Sequence, residues 1–254
     1  MATFWIFCGL SGAVYLLNDV LDRTADSQHP IKRQRPVASG ALSPAVALTA
    51  AVVLAAASVA GALMINGPLT MTAASYAVLL GAYSAALKHY VIIDVLTLST
   101  GFVLRAVAGA VAIGVPISHW LLVCTTLLAL FIGLSKRRHE LTLLTDGAAG
   151  HRSILREYSP YLLDQMISVV TAATLVAYSL YTFSSETAER LGSDRLGLTV
   201  PFVLYGIFRY LYLVHQRNEG GSPSELLLTD RPLLVCVGLW AAAVVLVLYT
   251  PLGG

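Results

Sequence analysis

Asn18, Asp19, Asp22 and Asp26 stand in the stretch NDVLDRTAD at offsets 0, 1, 4 and 8. On a helix turning about 100° per residue, these four side chains fall within an arc of about 100°. Three carboxylates on one face repel one another strongly unless a cation lies between them, and an oxygen-only cluster suits a hard ion such as Mg²⁺. Magnesium takes one or two carboxylates together with substrate phosphates, so this face has the chemistry of a diphosphate holder. Standing alone, the motif would be explained equally well by a solvated helix end whose acids anchor it at an interface. It is followed at once by SQHPIKRQRPVASGALS, where Lys32, Arg33 and Arg35 place cations beside the acids. Acids for a metal and bases for the same anion are what a bound diphosphate requires. Lys32 and Arg35, with Asp22, are therefore the candidate catalytic groups, although a basic loop is also an ordinary topology signal. Arg105, in GFVLRAVAGAVA, lies about halfway along an apolar stretch, where an unpaired guanidinium is costly. It is expected to face a cavity, paired with a carboxylate or touching a phosphate.

The elements that position these residues are membrane helices. Of the 254 residues, 57% are hydrophobic and 12% charged, with a mean hydropathy of +0.74; a soluble domain carries about 25% charged residues. A bilayer core of about 30 Å needs roughly 20 apolar residues per helix, and apolar stretches run at about 2–17, 44–65, 68–87, 92–114, 117–135, 161–184, 197–214 and 232–250. Helices are the expected form, because backbone groups in lipid must bond within their own segment. The result is a single all-α integral-membrane domain over 1–254, of about eight transmembrane helices. Cys8, Cys124 and Cys236 lie apart in apolar segments and suggest packing rather than disulfides or a metal. The N-terminus MATFWIFCGL lacks the basic leader of a signal peptide.

Long polar connections at 18–43, 136–160 and 215–231 and a short basic one at 88–91 alternate with small turns and an acidic loop at 185–196. Arg23, Lys32, Arg33, Arg35, Lys88, Lys136, Arg137, Arg138, Arg152, Arg156, Arg217 and Arg231 fall in the first set, and only Arg190 and Arg195 in the other. The positive-inside rule then places the first set in the cytoplasm and implies a multi-pass protein of the plasma membrane. No nucleic-acid partner is expected.

NDVLDRTAD followed by HPIKRQRPVASG resembles the UbiA superfamily of intramembrane prenyltransferases, whose hallmark is NDxxDxxxD with a following K/R-x-RP-x-x-SG stretch. The resemblance implies a nine-helix bundle around a central cavity open to the cytoplasmic side, with Mg²⁺ on the donor's diphosphate. It also implies that the family's first helix is missing before Met1, and a homo-oligomer, a trimer in the family manner. YSAALKHYVIID is similar to the family's Tyr/Lys phosphate element, one residue longer than its commonest form, which makes Tyr83, Lys88 and Asp94 substrate-binding candidates.

The chain departs from the prenyltransferase pattern in FIGLSKRRHELTLLTDG, where the family carries a second acid-rich motif. Here stand Lys136, Arg137, Arg138, His139 and only Glu140. Exchanging acids for guanidinium groups turns a metal site into an anion site. A prenyl diphosphate offers no second phosphate; phosphoribosyl diphosphate does. With GFVLRAVAGA, this resembles the decaprenyl-phosphate phosphoribosyltransferase branch of the superfamily, which feeds arabinan synthesis in bacterial envelopes. The resemblance implies a donor, 5-phosphoribosyl 1-diphosphate, an acceptor, polyprenyl phosphate, and Mg²⁺ as cofactor. The acceptor is already an anion, so no general base is expected; His29, His139 and His151 read as hydrogen-bonding or solvated loop residues. An aromatic prenyltransferase is disfavoured by the missing second acid motif. A transporter, which charges such as Arg105, Arg209 and Asp94 would also suit, is disfavoured by the lack of internal repeats.

Overall fold

The computed structural model describes residues 1–28, 32–145, 154, 157–217 and 223–249, except the side chains of 142–145 and 223–225. His29, His151, Arg152 and Arg156 lie outside that set. The chain forms two compact units, Met1–Thr126 with Leu144–Tyr158, and Leu127–Leu143 with Ser159–Gly254.

The first unit packs α1 (Ala2–Leu21), α3 (Pro44–Leu63), α4 (Gly67–Ala85) and α5 (Ile93–Ala112), with the short α2 (Arg23–Gln28) after α1. Each start has a local cause. Ser43 accepts the Val46 N–H ahead of Pro44, and Asn66 accepts the Leu69 N–H ahead of Pro68, the polar cap and early proline that favour a helix beginning. Asn66 also donates to the Val111 carbonyl at 3.1 Å, tying the ends of α4 and α5. The core gathers Phe7, Leu10, Leu69, Tyr76, Leu80 and Ala108. Small residues let α1 and α3 approach closely: a Cβ on Gly9 would lie 2.4 Å from Ser58 Oγ, and such contacts replace the hydrophobic drive that lipid removes.

The second unit contains most of α6 (His119–Thr145), which enters it from the first, then α7 (Pro160–Phe183), α8 (Ser185–Leu191), α9 (Val200–Gln216), α10 (Pro223–Thr229) and α11 (Arg231–Tyr249). Ser159 caps α7 before Pro160. Arg209 grips both carboxylate oxygens of Asp230 at 3.2 and 2.8 Å, and Asp230 accepts the Leu233 N–H that opens α11. The Arg209 hydrogen bonds, helped by that N–H, hold the Asp230 carboxyl below its usual range. Arg209 is thus a structural tie.

Among the described residues eight helices have 17 or more residues, and seven spans are long and apolar enough to cross a membrane, α9 counting with the preceding turn Arg195–Thr199. The exception, α4, carries Thr70, Thr72, Ser75, Tyr76, Tyr83 and Ser84. At most 28% of any candidate span is buried, while Trp5, Val52, Phe102, Val169 and Leu246 stand exposed, the outward apolar surface of a chain solvated by hydrocarbon. Two boundaries correct the expected loops. α1 runs to Leu21, so Asn18 and Asp19 are helical, and α6 runs to Thr145 rather than ending near 135. SKRRHELTLLT holds neither Gly nor Pro and is rich in strong helix formers, so the basic cluster sits on a helix, not in a loop.

Candidate active site

At the end of α1 the acids divide into two groups, each gathered by one base. Arg35 Nη1 donates to Asp19 Oδ1 at 2.9 Å and to Asp26 Oδ2 at 2.8 Å. Lys88 Nζ donates to Asp22 Oδ1 at 2.5 Å and to Asn18 Oδ1 at 3.4 Å. Asp22 is the cap residue that closes α1, and its carbonyl accepts the Asp26 N–H at 2.8 Å, so the helical face carries over into α2. Lys32 opens the turn Lys32–Gln34, whose carbonyl at Lys32 accepts the Arg35 N–H. Lys88 is 5% exposed, and a buried ammonium is stable only with partners such as these.

Among the described residues no three His, Cys, Asp or Glu side chains converge on one point. The donors are oxygens only, two carboxylates already meet around a single cationic nitrogen, and magnesium needs one or two carboxylates beside phosphate and water. The residues present therefore fit the ion.

Behind Lys88 the chain is tightly fixed. Ile92 has φ 70°, a costly conformation for a β-branched residue. Its N–H donates to Tyr158 Oη at 2.7 Å, and Tyr158 donates to Asp94 Oδ1 at 2.9 Å. Asp94 is wholly buried and Tyr83 nearly so. Asp94 thus holds the segment that presents Lys88, and Tyr158 is a participant that no sequence motif marked.

Arg105 lies about 16 Å along α5 from Asp94. Its Nη2 donates to Tyr76 Oη at 2.5 Å and to Ser11 Oγ at 3.2 Å, and its guanidinium stacks on the Tyr76 and Phe102 rings. Of the two expected partners, carboxylate or phosphate, no carboxylate meets it among the described residues; hydroxyls do, because the acids of this unit gather nearer the helix end. Aromatic faces and neutral oxygens hold the cation there.

In the second unit the three basic residues of α6 differ. Lys136 is exposed. Arg137 is 3% exposed and donates to Glu140 Oε2 at 2.8 Å. Arg138 donates through Nε to Asp164 Oδ1 at 2.5 Å, and the same oxygen faces His215 Nε2 at 3.1 Å. A cavity of about 240 Å³ lies further along the same helices, lined by Phe131, Phe202, Tyr210, Leu233 and Trp240 among others. Asp164 and His215 were not expected from motifs; their signal was an isolated acid and an isolated histidine near the ends of apolar helices.

Residues 1–228 match the family model described as UbiA prenyltransferase family. The decaprenyl-phosphate phosphoribosyltransferase of Corynebacterium glutamicum is 33% identical over 249 residues, spanning 97% of this chain and 74% of that protein. The protein of the same name from Mycolicibacterium smegmatis is 32% identical over 251 residues, 97% of this chain and 79% of that one. The solved structure of a UbiA homolog from Archaeoglobus fulgidus bound to GPP and Mg²⁺ covers 98% of this chain and 87% of its own, with a TM-score of 0.74 at 17% identity, which shows a shared fold. The acid motif closing α1, the helical architecture and the match over nearly the whole chain lead to one conclusion: the protein belongs to the UbiA prenyltransferase family.

Proposed function

We propose that this membrane enzyme transfers the 5-phosphoribosyl group from 5-phosphoribosyl 1-diphosphate to a polyprenyl phosphate, decaprenyl phosphate in the manner of its named relatives, releasing diphosphate. The observation that carries this reading is the basic end of α6, where the guanidinium of Arg138 keeps a bonding edge with no partner among the described residues. That edge suits the donor's 5-phosphate.

In the reaction the bond from ribose C1 to the diphosphate oxygen breaks as an oxygen of the acceptor phosphate bonds to C1. The electron pair leaves with the diphosphate. Negative charge therefore grows on the leaving group, and groups fixed in advance around it lower the barrier. Asn18, Asp19, Asp22 and Asp26 would hold Mg²⁺, which supplies positive charge against the diphosphate. Arg35 and Lys88, held by those acids in the structure, bring further cations to the same place, with Lys32 beside them. The acceptor phosphate is ionised at neutral pH, so no proton is removed and no side chain is assigned as a base.

Purified protein should release diphosphate from the donor only when a polyprenyl phosphate is present. Release from a prenyl diphosphate with an aromatic acceptor instead would overturn the reading. The Lys/Arg distribution supports the reading that the active ends face the cytoplasm from the plasma membrane. Cysteines replacing the exposed Ser39 and Ser185 should differ in labelling by an impermeant thiol reagent in intact cells, and equal labelling would refute the orientation.

A further inference from the structure

Asp164 is the fifth residue of α7, and its side chain meets Arg138 from α6 and His215 from the last turn of α9. Both partners address the same oxygen, Oδ1. His215 faces acceptors on both sides: Nδ1 lies 2.9 Å from the Leu211 carbonyl and Nε2 lies 3.1 Å from Asp164. Either ring nitrogen, where it carries the hydrogen, donates to the acceptor beside it. The carboxylate is thereby fastened between a guanidinium and an imidazole on separate helices, and its position no longer depends on the rotamer of a solvated chain.

Among the described residues Arg138 is engaged through Nε alone. A guanidinium is a rigid planar fork, so fixing Nε fixes the plane and direction of both terminal nitrogens. Those nitrogens have no partner among the described residues, and the side chain is 14% exposed. Arg137, adjacent in sequence, is arranged differently: its Nη1 is spent on Glu140 and its side chain is 4% exposed.

We infer that Asp164, backed by His215, is a positioning residue that aims the Nη1/Nη2 edge of Arg138 at a substrate phosphate. The inference rests on the reading above that the basic end of α6 receives the donor's 5-phosphate, and it assigns to Asp164 no contact with substrate.

The test is a double-mutant cycle in the full-length protein with KM measured separately for donor and lipid. Asp164→Asn should raise the donor KM about tenfold, the lower end of losing a hydrogen bond to a charged group, with kcat nearly unchanged. Asp164→Glu should restore most of the loss. In an Arg138→Ala background, Asp164→Asn should change nothing further. A smaller rise in the same KM is expected for His215→Gln, again only when Arg138 is present; this second variant carries the test if Asp164→Asn does not fold. Equal effects of Asp164→Asn with and without Arg138 would overturn the inference and make the pair a simple tie between helices. If Arg138→Ala raises the lipid KM rather than the donor KM and Asp164→Asn follows it, the phosphate is the acceptor's and the positioning role stands. If Arg138→Ala moves neither KM, both the reading and the inference fall.

Discussion

In the first unit three carboxylates, Asp19, Asp22 and Asp26, share two cations, Arg35 and Lys88. In the second, Lys136, Arg137 and Arg138 are matched with two carboxylates, Glu140 and Asp164. In the first cluster two acids meet one guanidinium nitrogen, whereas in the second each guanidinium has a carboxylate of its own. The chemistry of the groups sets what each suits: carboxylate oxygens gathered on one face suit a divalent cation with its bound diphosphate, while guanidinium groups suit a phosphate directly. The clusters also differ in construction. Lys88 reaches an acid, Asp22, that lies 66 residues away in sequence, whereas Arg137 meets Glu140 three residues along its own helix.

The comparison breaks most severely at Asp22. Asp22→Asn keeps the volume but removes the anion and leaves buried Lys88 short of its partner, so turnover should fall on the order of 100-fold, with little recovery on raising Mg²⁺. Undiminished turnover would remove the acid cluster from the reaction. Within the basic cluster, Arg138→Ala should raise the donor KM about 10- to 150-fold, the range for a hydrogen bond to a charged group. Arg137→Ala should act on the fold instead, costing about 1–3 kcal/mol because Glu140 loses a hydrogen bond from a buried guanidinium, which thermal unfolding in detergent would report. If the two variants shift donor KM alike, the division of labour between them is wrong. A loss of similar size is expected at Tyr158→Phe, which removes the hydroxyl joining Ile92 and Asp94. Stability should drop by about 1–3 kcal/mol, with donor KM changed by a modest factor through Lys88. A loss of turnover as large as that of Asp22→Asn would show that Tyr158 touches substrate.

Much of this protein could be read from neighbours along the chain. Apolar length, Ser43, Asn66 and Ser159 as caps, and the prolines behind them mark where helices begin, because hydrophobic period and capping act within one or two turns. The spacing of Asn18, Asp19, Asp22 and Asp26 placed them together for the same reason. Tertiary structure decided which base each acid would meet, that Arg105 would rest on Tyr76 and Ser11, and that adjacent Arg137 and Arg138 would take different partners. It alone brought Asp164, 26 residues from Arg138, and His215, 51 residues from Asp164, to one oxygen. Such pairings depend on the rotation and depth of packed helices, quantities that no short stretch of sequence encodes, since a lone acid in an apolar helix has the same local pattern whatever it faces.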